Sequence, residues 1–262
     1  AERTTSALDG EFLTSVAAEV TSATRNVAVN LSPAGVAMLT WALAKSGVAS
    51  SNNPAGTAAV DTLAGCVADR SWSAFNLPGI ASATWGLARA AHPRAKELLL
   101  QAVPRVVAAS PEEKSRFFVS GIAMLLEAYA EVGVSAPDLF AWAAKELSSR
   151  SANSNEPAPA FADWASIIIS FLETGNEDLL PPILKLAAEA VRKASSPAAV
   201  AQSIPPAELE ALRRALKLLP REQVDEALRS VVAGKHSGQR PAAVAASPHQ
   251  QQQRDNKRKG DR

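Results

Sequence analysis

The chain has little of what most sites are built from: one cysteine, three histidines and one tyrosine in 262 residues, with aromatics at only 5%. A lone thiol, Cys66, excludes an intramolecular disulfide framework and a Cys-rich zinc site. It reads as a small core side chain of an intracellular or organellar protein. No apolar run reaches the roughly eighteen residues of a membrane span. The chain opens with Ala1 rather than Met, which fits a processed or truncated product.

Enzyme signatures are missing too. There is no GxSxG elbow, no HExxH pair and no dinucleotide glycine pattern. Gly234-Lys235-His236 fails as a phosphate loop, because His236 stands where Ser or Thr is required and Arg229 where a glycine is. His92, beside Pro93 in a predicted turn, has no neighbouring Cys or His to complete a metal site, and His236 and His249 lie near the C-terminus. The expectation is no catalysis, cofactor, metal or small-molecule substrate.

What is present is apolar and helix-forming. Hydrophobic residues make up 47%, enough for a real core, and alanine suits close helix packing where strands favour aromatic and β-branched residues. Charge is uneven. Residues 234–262 carry seven Lys/Arg against two Asp, a net +5, which leaves −4 on the first 233 residues of a chain at +1. A body of that sign is the reverse of a generic electrostatic nucleic-acid binder.

Internal similarity at a fixed period organises the sequence. Thr40-Trp41-Ala42-Leu43-Ala44-Lys45-Ser46-Gly47 aligns with Thr84-Trp85-Gly86-Leu87-Ala88-Arg89-Ala90, then with Leu126-Glu127-Ala128-Tyr129-Ala130-Glu131-Val132-Gly133, then with Ile169-Ser170-Phe171-Leu172-Glu173-Thr174-Gly175. The spacing is 42 to 44 residues. Each ending closes an amphipathic stretch, an A helix, and a second apolar-periodic stretch follows, a B helix. A helices are predicted at about 32–46, 77–91, 111–132, 160–174 and 205–219, and B helices at about 9–22, 56–70, 94–109, 136–149, 178–194 and 221–233. Ser32-Pro33, Leu77-Pro78, Ser110-Pro111 and Pro205-Pro206 open A helices; Ser110 with Glu113 matches a capping box; Gly47, Gly133 and Gly175 end A helices. Pro104 and Pro181-Pro182 predict a kink or a late start in their B helices. Ser50–Pro54 and Ser151–Pro159 read as loops. The fold class expected is all-α: an α-solenoid of about five antiparallel hairpins over 1–233, with a disordered basic tail at 234–262.

The first A helix, from Leu31-Ser32-Pro33 to Trp41-Ala42-Leu43-Ala44-Lys45-Ser46-Gly47, resembles the octotricopeptide repeat of organellar proteins, and Leu77-Pro78 through Trp85-Gly86-Leu87-Ala88-Arg89 is a second match. Related heptatricopeptide and FAST kinase-like arrays, often RAP-associated, share the design. The resemblance implies a mitochondrial or plastid protein that binds RNA or holds together an RNA-containing assembly such as a mitochondrial ribosome. The 42-to-44-residue spacing also fits HEAT or armadillo-like hairpins, and with them a protein-protein scaffold that touches no RNA.

Candidate RNA contacts follow from charge and register. Lys45, Arg89, Glu131 and Glu173 share one position, so the edge changes sign midway; Lys45 and Arg89 could meet phosphates with help from Arg25 and Arg94, or could complement helix dipoles as solvated ends. Arg213, Arg214 and Lys217 form a second cluster, and Lys257, Arg258 and Lys259 form the core of the basic tail. Trp41 and Trp85, at one repeat position, could stack on bases, but the end of an apolar face favours a wedge between hairpins; Trp72, Trp142 and Trp164 read as packing residues. Leu43, Leu87, Tyr129 and Phe171 should be buried between layers.

Overall fold

A computed structural model of the chain describes residues 2–22, 31–50, 52–150, 159–194 and 196–233, with side chains from residue 11 onward. Ala1–Val232 make up one compact unit; of the other, Ala233–Arg262, only Ala233 lies among the described residues. The described residues contain thirteen α-helices and no strand.

The A series is α2 (Pro33–Lys45), α4 (Leu77–Arg89), α7 (Val119–Val132), α9 (Phe161–Glu173) and α12 (Pro206–Leu218). The B series is α1 (Glu2–Ser22), α3 (Pro54–Arg70), α5 (Ala95–Val107), α8 (Pro137–Ser149), α10 (Leu180–Lys193) and α13 (Glu226–Ala233). Two short helices, α6 (Pro111–Ser115) and α11 (Pro197–Gln202), sit between them. Starts follow local chemistry. Ser32, Asn53, Asn76, Ser110 and Ser196 each accept a hydrogen bond from the amide three residues on, satisfying a donor that the helix cannot.

The ends are more informative, because a related turn recurs four times, one residue longer after α2 than after the other three. Beyond α2, α4, α7 and α9 the chain takes a left-handed residue and folds back. The amides of Ala49, His92, Val134 and Asn176 then donate to the carbonyls of Leu43, Leu87, Tyr129 and Phe171 at 2.8 to 3.0 Å. The left-handed residue is Gly47, Gly133 or Gly175 in three turns (φ 74°, 63° and 70°), but Ala91 in the second (φ 49°). An alanine there carries a Cβ penalty of roughly 1 kcal/mol.

Packing follows the alignment. Successive A helices are neighbours: α2 lies on α4, α4 on α7, α7 on α9 and α9 on α12. The B helices line them on one side, with α1 on α3, α5 on α8 and α8 on α10, and α2, α4, α7 and α9 each touching the B helix that follows. Leu43, Leu87, Tyr129 and Phe171 are all fully buried in this seam. Tyr129 Oη donates to the Leu99 carbonyl at 2.5 Å, which satisfies its hydroxyl, and burial pushes its pKa above the usual phenol range. The position before each of these four holds Ala42, Gly86, Ala128 or Ser170. At Gly86 the reason is visible, since a Cβ would stand 2.7 Å from the Thr40 backbone of the adjoining helix.

Several expectations need correction. The predicted helix over 111–132 is two: α6 ends at Ser115 and α7 begins at Val119. Between them Phe117 turns inward to stack on Trp142 at 6.4 Å, and the Arg150 guanidinium donates to the carbonyls of Lys114 and Phe117, satisfying acceptors that a broken helix leaves open. Glu113 does not complete the box with Ser110. Its carboxylate accepts from the Leu77 amide at 3.0 Å and from Arg105 at 2.6 Å, capping the neighbouring helix α4 instead. Pro104 lies within α5, which runs on to Val107; at Pro181 and Pro182 the late start is as expected, since α10 begins at Leu180 and holds both in its first turn. The short α11 has no counterpart in the predicted series. The loop at 151–158 and the basic tail lie outside the described residues.

Candidate binding groove

Each of the first four A helices leaves one stripe out of its buried set. On α2 the buried set Val36, Ala37, Thr40, Leu43 and Ala44 leaves Ala34, Met38, Trp41 and Lys45 exposed, a stripe with spacings of three and four. The equivalent positions are half-buried at Ser82 and Trp85 on α4, Met124 and Glu127 on α7, and Ser166 and Ile169 on α9, and exposed at the helix ends, Arg89, Glu131 and Glu173. Met38 is 69% and Trp41 36% exposed, so Trp41 does not wedge between helices as expected. Residues two apart on a helix point about 200° from one another. With Leu43 in the seam, Trp41 has to face away from it. Trp85 is partly buried against the core, and Trp72, Trp142 and Trp164 are buried.

At the C-terminal ends of α2 and α4 this face opens into a cavity of about 1110 Å³. Its wall comes from four A helices: Lys45 from α2, Trp85 and Arg89 from α4, Glu127 from α7, and Ala207 with Glu208 from the start of α12. Thr57 and Val60 of α3 and the loops after α2 and α4, including Ser50 and His92, complete it. That size is at or above the upper end of the small-molecule range of about 300–1,000 Å³.

Lys45 and Arg89 are thus brought together, but neither is an idle cation. Lys45 Nζ lies 5.9 Å from the centre of the Trp85 ring, within cation–π range, and Arg89 Nη1 is 3.6 Å from Glu131 Oε1. Glu127 and Glu208 stand on the same wall, and neither is in a salt bridge among the described residues. Burial raises the Glu208 carboxyl above its ordinary range, the charge of Glu127 adds to this, Lys45 opposes it, and Asp163 adds again. The Asp163 carboxyl is also raised by burial, against the lowering effect of the bond it accepts from the Ala160 amide at 3.1 Å.

The remaining candidates are scattered. Arg94 is held by both oxygens of Glu97 at 3.1 Å, and a hydrogen bond to that carboxylate raises its pKa. Arg213 pairs with Glu210 and donates to the Val232 carbonyl at 2.9 Å. Arg214 and Lys217 are exposed on α12. Arg25, Lys257, Arg258 and Lys259 lie outside the described residues.

His92 borders the cavity with its side chain only 6% exposed. Its Nε2 is 2.8 Å from Asp61 Oδ1, and its Nδ1 accepts from the Arg94 amide at 3.2 Å. Both ring nitrogens are therefore engaged, which orients the loop and leaves no free lone pair toward the cavity. No group of three or more His, Cys, Asp or Glu residues is placed to hold a metal ion among the described residues, and none of their helices is long and apolar enough to cross a membrane.

The residues that sequence reasoning missed are Met38, Glu127 and Glu208. The 3.6-residue period places Met38 beside Trp41 and Lys45, so that signal was available. Glu208 borders the cavity because α12 approaches the end of α2 in space, which no local pattern encodes. No protein family, curated protein or solved structure matches this chain.

Proposed function

We propose that the chain is a non-catalytic helical-repeat protein, its A and B helices stacked as a solenoid, that presents the uncovered A face as a protein-binding groove. The observation that carries this is the composition of the groove wall. Two carboxylates in no salt bridge among the described residues, Glu127 and Glu208, share a cavity with Lys45 and with an arginine already paired to Glu131, and an exposed Met38–Trp41 stretch lies just before Lys45 on α2. A phosphate would meet those two carboxylates as well as the cations, whereas polypeptide supplies cations and apolar side chains together. Contacts spread over several repeats suit a scaffold that assembles a complex.

A second reading keeps RNA. Lys45 against Trp85, with Arg89 one helical turn on and Trp41 exposed, is an aromatic–cation arrangement of the kind that stacks bases and meets phosphates. The octotricopeptide-like motif falls on those same two helices and supports an organellar setting, mitochondrial or plastid, in a ribonucleoprotein.

Crosslinking the native protein and identifying what is attached separates the two. Attached polypeptide at Met38, Trp41 or Trp85 supports the scaffold; attached RNA at those residues replaces it. As a check in solution, under the RNA reading Lys45→Ala with Arg89→Ala should weaken RNA affinity and flatten its salt slope by about 0.7 for each phosphate no longer neutralised. Under the scaffold reading no RNA affinity is measurable at low salt.

A further inference from the structure

We propose that the groove takes a cationic segment of a partner polypeptide, with a Lys or Arg side chain set between Glu127 and Glu208 and neighbouring apolar residues laid on Met38 and Trp41. This rests on the protein-binding reading above and names the chemistry of the occupant.

Charge complementarity selects that chemistry. The cavity wall carries Lys45 and Arg89 against Glu127 and Glu208, but Glu131 already answers Arg89, and the field of Asp163 reaches Glu208 as well. With Glu131 and Asp163 counted beside the wall's own two cations and two carboxylates, four carboxylates surround two cations, of which Lys45 acts on Glu208. Burial and the neighbouring carboxylate both disfavour the ionised form of Glu208, so the groove holds an electrostatic cost that an incoming ammonium or guanidinium would relieve. An anionic occupant would add to it.

The apolar half of the site is equally specific in place. Trp41 lies one turn and Met38 two turns before Lys45 on α2, so the exposed stripe runs up to the cavity from one side. An extended segment entering along that stripe would bury the indole and thioether and bring its next basic side chain to the carboxylates. Aromatic and methionine side chains are the residues that serve as anchors at such surfaces. A cavity of about 1110 Å³ suits a stretch of polypeptide more than a metabolite.

The test is a selection of random dodecapeptides displayed against the immobilised full-length chain, run in parallel on Glu127→Gln/Glu208→Gln and on Met38→Ser/Trp41→Ser. Circular dichroism melting confirms that each variant is folded, and the second pair sits at exposed positions where folding is least at stake. The parent should enrich peptides that combine Lys or Arg with aliphatic or aromatic residues. Synthetic copies of these should bind roughly tenfold more weakly to either variant and weaken further with salt.

Enrichment of acidic peptides, or the same set on the parent and on Glu127→Gln/Glu208→Gln, overturns the proposal while leaving the protein-binding reading in place. No enrichment at all, together with a uridine oligonucleotide that binds and binds more tightly to Glu127→Gln/Glu208→Gln, overturns both in favour of RNA.

Discussion

The first pair of A helices, α2 and α4, and the next pair, α7 and α9, are alike on one face and unlike on the other. In the seam they keep one pattern: Leu43, Leu87, Tyr129 and Phe171 are buried in the same register, and each carbonyl accepts from a returning amide, six residues on at Leu43 and five at the others. On the uncovered face the first pair presents Trp41, Lys45, Trp85 and Arg89, and the second presents Glu127, Glu131, Ile169 and Glu173. A repeat is constrained where helices touch, because packing density leaves little tolerance, and free where they meet solvent. The free face can therefore be a contact surface with a sign of its own at each position.

The sharpest break of this comparison would come from the seam. Leu87→Ala in the first pair and Phe171→Ala in the second should each cost about 3–4 kcal/mol in urea unfolding, since both are fully buried large side chains. A cost below about 1 kcal/mol at either would show that the two pairs do not share one core. Gly86→Ala, where the added Cβ meets the Thr40 backbone at 2.7 Å, should cost about 2 kcal/mol by forcing α2 and α4 apart. An unchanged midpoint would mean that the first pair is not closely packed.

A smaller effect probes the join between the pairs. Glu113 caps α4 from α6, and its hydrogen bond with Arg105, aided by that charge and the Leu77 amide, holds its carboxyl below the ordinary range against the opposing effect of burial. A carboxylate depressed in the folded state contributes stability above its unfolded value, near pH 4.3, and that contribution is lost as pH falls through the folded value. Glu113→Gln should cost about 1.5 kcal/mol at neutral pH, and parent and variant should converge in melts taken progressively below pH 4. Curves that stay parallel would refute the capping role.

The smallest effect distinguishes the four turns. Ala91→Gly should stabilise by roughly 0.5–1 kcal/mol, because Ala91 alone of the four left-handed positions carries a Cβ. Loss of stability in a thermal melt would show that this turn is supported by something other than backbone conformation.

By itself the sequence determined where most of the helices lie, several of their starts and stops, and which register enters the seam. Those are local matters: a cap reaches three residues, a proline or a left-handed residue acts at its own position, and the apolar period is set by 3.6 residues per turn. It also determined, through that same period, that Trp41 and Leu43 cannot share a face. The tertiary structure alone decided what no local pattern holds. Phe117 breaks the helix predicted over 111–132 because Trp142 and Arg150 receive it from elsewhere in the chain. Glu113 caps a helix 36 residues back in the chain instead of its own. Arg89 spends its charge on Glu131, and Glu208 comes to face Lys45 and Glu127 across a cavity. In each case the partner is distant in sequence and chosen by how the helices stack, so the charge of a residue was legible while the charge it would meet was not.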